Sequence, residues 1–188
     1  QDHIETLLIS DNLMPDRTQA ILTGDDQDLL ARFKSHFELG ESWGADFFAI
    51  PCNTSHYFMD DFKKMTNKKI LNMVDLAISD AGDNICVLAT RGTYKTGIYR
   101  KAIEGAGKNL IELTEDEKDL SMETIYRIKA GEEARQENFP EFQAMIQEKL
   151  EAGGKILLAC TELSLIKFDD PRIIDAMDSL VRLSLIHI

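Results

Sequence analysis

The chain of 188 residues sets 33 acidic against 21 basic side chains, a formal charge of −12, and 44% of it is hydrophobic. That balance, with no basic run to reverse it locally, repels a polyanion and argues against nucleic acid as a partner. Apolar runs such as KILLAC and NICVLA are strand-sized, far short of the ~20 residues a membrane-spanning helix needs. No leader-like pattern opens the chain, so a reducing cytoplasm is the expected setting. Its three cysteines, Cys52, Cys86 and Cys160, are odd in number and widely spaced. They offer neither a disulfide framework nor metal-ligand spacing, and no metal site is expected.

In chain order, TLLIS (6–10) reads as a short strand and DNLMPDRTQAILTG (11–24) as a loop broken by Pro15 and carrying Arg17. Leu29, Leu30, Phe33 and Phe37 recur at helical intervals, predicting a helix over about 26–42 that Gly44 can end. Next come a strand FFAIP (47–51), a helix over about 54–65, a strand KILNM (69–73) and a helix around 74–81. NICVLAT (84–90) reads as a strand, RGTYKTG (91–97) as a glycine-punctuated turn, and a helix follows to about 104. NLIEL (109–113) is a strand; helices follow over about 115–129 and 139–152, the second starting at Pro140. KILLAC (155–160) leads into TELSLIKF, and RIID (172–175) precedes a terminal helix.

Strands that are continuously apolar suit a parallel sheet covered on both faces, so the fold class is α/β. In such sheets ligands bind beyond the carboxyl ends of the strands. Cys52 and Cys160 both fall at such an end. Their segments, FFAIPCNTSH and KILLACTELS, also resemble each other, as a weak internal duplication would produce. If each cysteine opens a helix, the dipole and free N–H groups there lower its thiol pKa toward neutrality. Cys86, inside an apolar run, reads as a packing residue. His56, one helical turn after Cys52, could tune that thiol but is more commonly a packing residue.

PCNTSH (51–56) together with ACTEL (159–163) resembles the aspartate/glutamate racemase family, the cofactor-independent amino-acid racemases. MPDRT (14–18), LATRGTYKTGIY (88–99) and IYRIKAG (125–131) agree and occur in the family's order. The resemblance implies two similar α/β lobes facing each other across a cleft, one cysteine from each. The N-terminal lobe is expected over 1–82, completed by 172–188, and the C-terminal lobe over 83–171. It further implies two-base racemisation of an acidic amino acid, aspartate or glutamate, with Cys52 and Cys160 as the bases and no cofactor. Asn53, Thr54 and Thr161 are candidate donors to the substrate carboxylate, and Thr93 lies in a loop that lines the family's cleft. Arg17 and Lys129 match the family's carboxylate-binding cations; from spacing alone they are a surface Arg beside Asp16 and a helix-end Lys. Glu162 is a candidate to orient or deprotonate Cys160. A homodimer is a further expectation.

Family members begin with a strand and a glycine-rich turn, whereas this chain opens at QDHIETLLIS, about where the second strand would lie. The resemblance therefore implies a missing first strand, with exposed apolar surface and part of the cleft lost. The terminal LSLIHI departs from an amphipathic helix and reads as a truncation or scar. Related cysteine-dependent chemistries stay open: hydantoin racemase, arylmalonate decarboxylase, or maleate isomerase with a nucleophilic cysteine. So do a noncatalytic dicarboxylate binder and a thiol redox sensor.

Overall fold

A computed structural model describes residues 5–186. Helix α1 (Arg17–Thr23) is capped by Asp16, whose carboxylate accepts the Gln19 N–H at 2.9 Å, and is closed by Gly24 at φ 75°. This overturns the loop expected there. The signals were present in PDRTQAILTG: an aspartate cap at one end and a glycine at the other. Helix α2 (Gln27–Trp43) buries Leu29, Phe33 and Phe37 and ends at Gly44. Strand β1 (Phe47–Ala49) pairs in parallel with β2 (Lys69–Leu71), with a 3₁₀ turn (Thr54–Phe58) and helix α3 (Met59–Met65) between them.

Helix α4 (Met73–Asp80) leads to β3 (Asn84–Leu88). The expected glycine turn after β3 is instead helix α5 (Arg91–Thr96), because Thr90 caps it by accepting the Thr93 N–H at 3.2 Å. Gly97, at φ 64°, separates α5 from α6 (Ile98–Gly105). There follow β4 (Asn109–Ile111), α7 (Glu115–Lys129), α8 (Pro140–Glu151), β5 (Lys155–Leu158), β6 (Ile173–Asp175) and α9 (Ala176–Ile186). Strands β3 to β6 form one parallel sheet in the order β4-β3-β5-β6.

Alternation along β3 and β5 splits the core of this sheet into two layers. Ile85, Val87, Leu157 and Ala159 face α4, α6 and α9, where they meet Ala77, Ile103 and Leu180. Cys86, Leu88, Ile156 and Leu158 face α7 and α8, where they meet Ile125, Phe142 and Ile146. Fully burying one such side chain stabilises the fold by ~1.5–3 kcal/mol, so the central pair of strands forms a rigid platform. A third cluster, Leu29, Phe33, Phe37, Phe58 and Phe62, joins α2, α3 and β1. The parallel sheets flanked by helices agree with the α/β class read from the sequence.

Of the described residues in the C-terminal stretch, β6 lies at the edge of the four-stranded sheet beside β5, while α9 packs on α4. The strand expected at TLLIS is irregular chain, with Leu8 83% exposed. An apolar run of five residues that leaves Leu8 so exposed gains little from ordering as a strand. Of the terminal LSLIHI, residues 187–188 and the side chains of 183–186 lie outside the described residues.

Candidate active site

Beyond β1 the chain turns outward through Ile50 and Pro51, and the Cys52 N–H donates to the Ile50 carbonyl at 2.8 Å. The Cys52 carbonyl accepts the Ser55 N–H at 3.2 Å and faces His56 Nδ1 at 3.0 Å. His56 Nε2 accepts the Met73 N–H at 3.0 Å, so the ring is neutral with its proton on Nδ1. Burial pushes the His56 pKa below its ordinary value, against the opposing pull of its bond to Cys52. His56 therefore ties the backbone of Cys52 to the first turn of α4 and acts on no thiol proton. Cys52 itself is half-buried.

The residues after Cys52 turn inward. Asn53 and Thr54 are 3% and 6% exposed. Thr54 Oγ1 lies 2.9 Å from Thr93 Oγ1 and 3.3 Å from Thr90 Oγ1; Thr90 and Thr93 are 3.1 Å apart, and Thr18 Oγ1 donates to Thr90 at 3.5 Å. Four hydroxyls from α1, the 3₁₀ turn and α5 thus share one buried network. Gly92 makes it possible: a Cβ there would stand 3.0 Å from Thr18 Cα. That close approach of α1 to α5 sets Arg17 beside the network. Arg17 donates from Nη1 to the Pro15 carbonyl at 3.0 Å, and among the described residues no carboxylate pairs with it.

Cys160 follows β5 and is 8% exposed. Its thiol donates to Glu162 Oε2 at 2.9 Å, the Thr161 hydroxyl donates to the same oxygen at 3.2 Å, and Lys129 Nζ lies 3.5 Å from Glu162 Oε1. Burial pushes the thiol pKa well above its ordinary value, and the Glu162 carboxylate pushes it further. This overturns the lowered pKa expected for Cys160. Only a three-residue 3₁₀ turn, Leu163–Leu165, follows it, so no helix dipole builds up behind the sulfur. Burial also works to raise Glu162, but the thiol, Lys129 and Thr161 together hold it below the usual carboxylate value.

The Cys52 segment is held by a residue that sequence reasoning passed over. Tyr99, on α6 and 4% exposed, donates its hydroxyl to Asn53 Oδ1. Burial raises the pKa of the phenol. Tyr99 therefore touches the residue that follows Cys52. Asn53 Nδ2 is buried with no protein acceptor among the described residues, as is Ser55 Oγ. A buried amide left without a partner is uncommon in folded proteins and calls for an explanation. Cys86 is fully buried, and burial pushes its thiol up to about 12, as suits a packing residue. Thr18, Thr90 and Gly92 were also missed; the T-x-x-T spacing across the start of α5 was the readable signal.

The chain matches the Asp/Glu/hydantoin racemase family model over residues 1–184. It is 26% identical, over 134 residues, to the broad specificity amino-acid racemase RacX of Bacillus subtilis (strain 168), covering 67% of this chain and 56% of that one. The chain thus spans little more than half the length of that relative. Its fold is similar to that of Picrophilus torridus aspartate racemase, with a TM-score of 0.78 at 24% identity over 99% of this chain and 80% of that one. The glutamate racemase of Aquifex pyrophilus is more distant, with a TM-score of 0.53 at 19% identity over 85% and 66%. At these identities the structural likeness establishes the fold, and the family model spans nearly the whole sequence. This chain belongs to the Asp/Glu/hydantoin racemase family.

Proposed function

We propose that the protein racemises an acidic amino acid at Cα without pyridoxal phosphate, using Cys52 and Cys160 as opposed bases. The observation that carries this reading is the Cys160 thiol, whose proton is already hydrogen-bonded to a carboxylate that is paired with Lys129. In this reading one thiolate takes the Cα proton from one face, leaving a planar carbanion with its charge spread onto the substrate carboxylate. The other thiol returns a proton to the opposite face, so atoms and charge balance and the centre inverts. Positioned proton transfer of this kind contributes ~10²–10⁴-fold to rate.

With no electron sink, donors aimed at the carboxylate carry the remaining load. Asn53, Thr54, Thr93 and Thr161 supply them here. Arg17 and Lys129 neutralise a dianionic substrate on an acidic chain. Lys129 has a second role: its positive charge works to lower both the Glu162 carboxyl and the Cys160 thiol, and so favours the charged form of either group. A chemistry that depends on free thiols suits a reducing compartment.

A second reading rests on the Bacillus relative, whose name states broad specificity: the same two-base chemistry could serve amino acids with other side chains. Proton NMR in D₂O with L-aspartate, L-glutamate and a panel of other L-amino acids, together with chiral analysis, separates the two. Loss of the Cα–H signal with appearance of the D-enantiomer for aspartate or glutamate alone supports the first reading. A flat profile across the panel supports the second. No racemisation of any amino acid sinks both.

A further inference from the structure

We infer that Tyr99 is a positioning residue, its phenol hydroxyl fixing the Asn53 amide so that Nδ2, and not Oδ1, is the end left without a protein partner for a substrate carboxylate to take. This rests on the two-cysteine reading above and extends it to a residue on α6, outside the segments that hold the cysteines.

An asparagine amide can sit in either of two orientations that differ only in which end carries the oxygen, and its partners decide between them. Here the deciding partner is Tyr99. Its hydroxyl lies in the core between the sheet and α6, with Asn53 Oδ1 as its acceptor. A buried phenol must donate its proton somewhere. Turning the amide over would leave that proton without its acceptor and would present Oδ1, an acceptor, to an incoming anion. With Tyr99 in place, Nδ2 is left free, 3% exposed as part of Asn53 and without a protein acceptor. The donor is thus oriented before any ligand binds. Preorganised donors cost no reorientation as charge develops on the carboxylate, which is when they matter most.

The test uses the full chain with Tyr99→Phe, Asn53→Ala and the double variant, and L-aspartate as the probe. Binding is followed through the Asn53 side-chain NH₂ signals by NMR, and by calorimetry where Asn53 is absent. The wild-type NH₂ signals are expected to shift as L-aspartate saturates. Tyr99→Phe, which keeps the ring, should melt within about 2 °C of wild type yet bind L-aspartate about tenfold more weakly, the loss of one charge-assisted contact. Asn53→Ala should weaken binding similarly, and the double variant no further. If the chain turns over, Tyr99→Phe should lower kcat by more than it raises KM.

Wild-type affinity in Tyr99→Phe overturns the proposal, as do independent penalties that multiply in the double variant. Wild-type Asn53 signals that ignore L-aspartate overturn it too, whether or not Tyr99→Phe folds. Loss of the racemase reading shows separately, as absence of Cα–H exchange in the wild type, and leaves these binding outcomes to decide the role of Tyr99.

Discussion

Cys52 and Cys160 close similar stretches of sequence, each an apolar strand followed by cysteine and polar residues, yet their surroundings differ in kind. Cys52 is half-buried, and what holds it is backbone: its carbonyl is bound by Ser55 and His56, and the side chains that follow it are neutral. Cys160 is buried, and what holds it is charge: Glu162 accepts its proton and Lys129 balances Glu162. The difference traces to the second residue after each cysteine, Thr54 in one segment and Glu162 in the other. Threonine joins a hydroxyl network, whereas glutamate reaches back to the sulfur. Pseudo-symmetric sequence therefore does not imply symmetric surroundings. At rest Cys160 carries its proton, held there by burial and by its anionic neighbour.

The largest effect that can break this comparison is removal of either sulfur. Under the proposed mechanism Cys52→Ala and Cys160→Ala each lose racemisation by at least ~10³-fold. The residual chemistry should differ between them. Each variant keeps one thiol and so can exchange the Cα proton of one enantiomer without inverting it, and the two variants should select opposite enantiomers. Deuterium wash-in on separate L and D samples reads this directly. The same enantiomer exchanging in both variants would mean that the cysteines do not face opposite sides of Cα.

Glu162→Gln is expected to come next. It keeps the shape and the hydrogen bond but removes the negative charge beside Cys160, one of the causes that raise the thiol. The thiol pKa should fall, yet the group that receives its proton is gone. If proton transfer to Glu162 matters, kcat falls ~10–100-fold and the alkaline limb of the pH–rate profile moves to lower pH. A rate that rises instead would recast Glu162 as a brake on the thiol.

Much of this was legible from the sequence and some was not, for reasons that particular residues make clear. Continuous apolar runs at NICVL and KILL identified the central parallel strands, because strands buried on both faces need no alternation. Helix α7 was readable end to end because Thr114 and Glu117 form a capping box at its start. Helices α1 and α5 were missed because a glycine or proline was given more weight than the Asp16 and Thr90 caps. Cys52 and Cys160 were marked by their place at the carboxyl ends of apolar strands and Glu162 by its closeness to Cys160, whereas Lys129 came from motif resemblance. Tyr99 could not, since a tyrosine at an apolar helical position looks like core, and it is core except for its hydroxyl. The protonation of Cys160 was misread because the helix assumed behind it is a single 3₁₀ turn.

Gly92 offers a smaller perturbation confined to the Cys52 side. Its Cα hydrogen packs against α1, and a methyl group there would meet Thr18 Oγ1 at 2.7 Å as well as Thr18 Cα and Cβ at 3.0 Å. Two of these atoms belong to the helix body and cannot rotate away. Gly92→Ala should therefore push α1 outward at a cost of about 1–3 kcal/mol in stability. It should part Thr18 from Thr90 and carry Arg17 with it. Affinity for a dicarboxylate amino acid should drop, while Cys160, held by Glu162 on another element, keeps its low reactivity toward alkylating agents. A denaturant titration and a binding isotherm on the same preparation separate the two effects. Unchanged stability would mean that α1 is free to shift without loss.

The smallest expected effect tests whether the Cys52 side is held by backbone alone. His56 is neutral in the fold, its pKa depressed by burial, while in the unfolded chain it titrates near its ordinary 6.5. Below that value the unfolded state binds a proton that the native state refuses, so unfolding gains relative to folding as pH falls. The wild-type denaturation midpoint should thus drop between pH 7.5 and pH 5.5 by more than that of His56→Gln, which has no ring to titrate. Acid protonation would also break the bond that Nε2 accepts from Met73, releasing the Cys52 carbonyl from α4. Cys52 should then become more accessible to a thiol reagent at pH 5.5, after correction for its intrinsic reactivity, while Cys160 should not. Equal pH dependence in wild type and His56→Gln would assign the acid sensitivity to carboxylates elsewhere and leave the Cys52 turn held by Pro51 and the Ser55 bond.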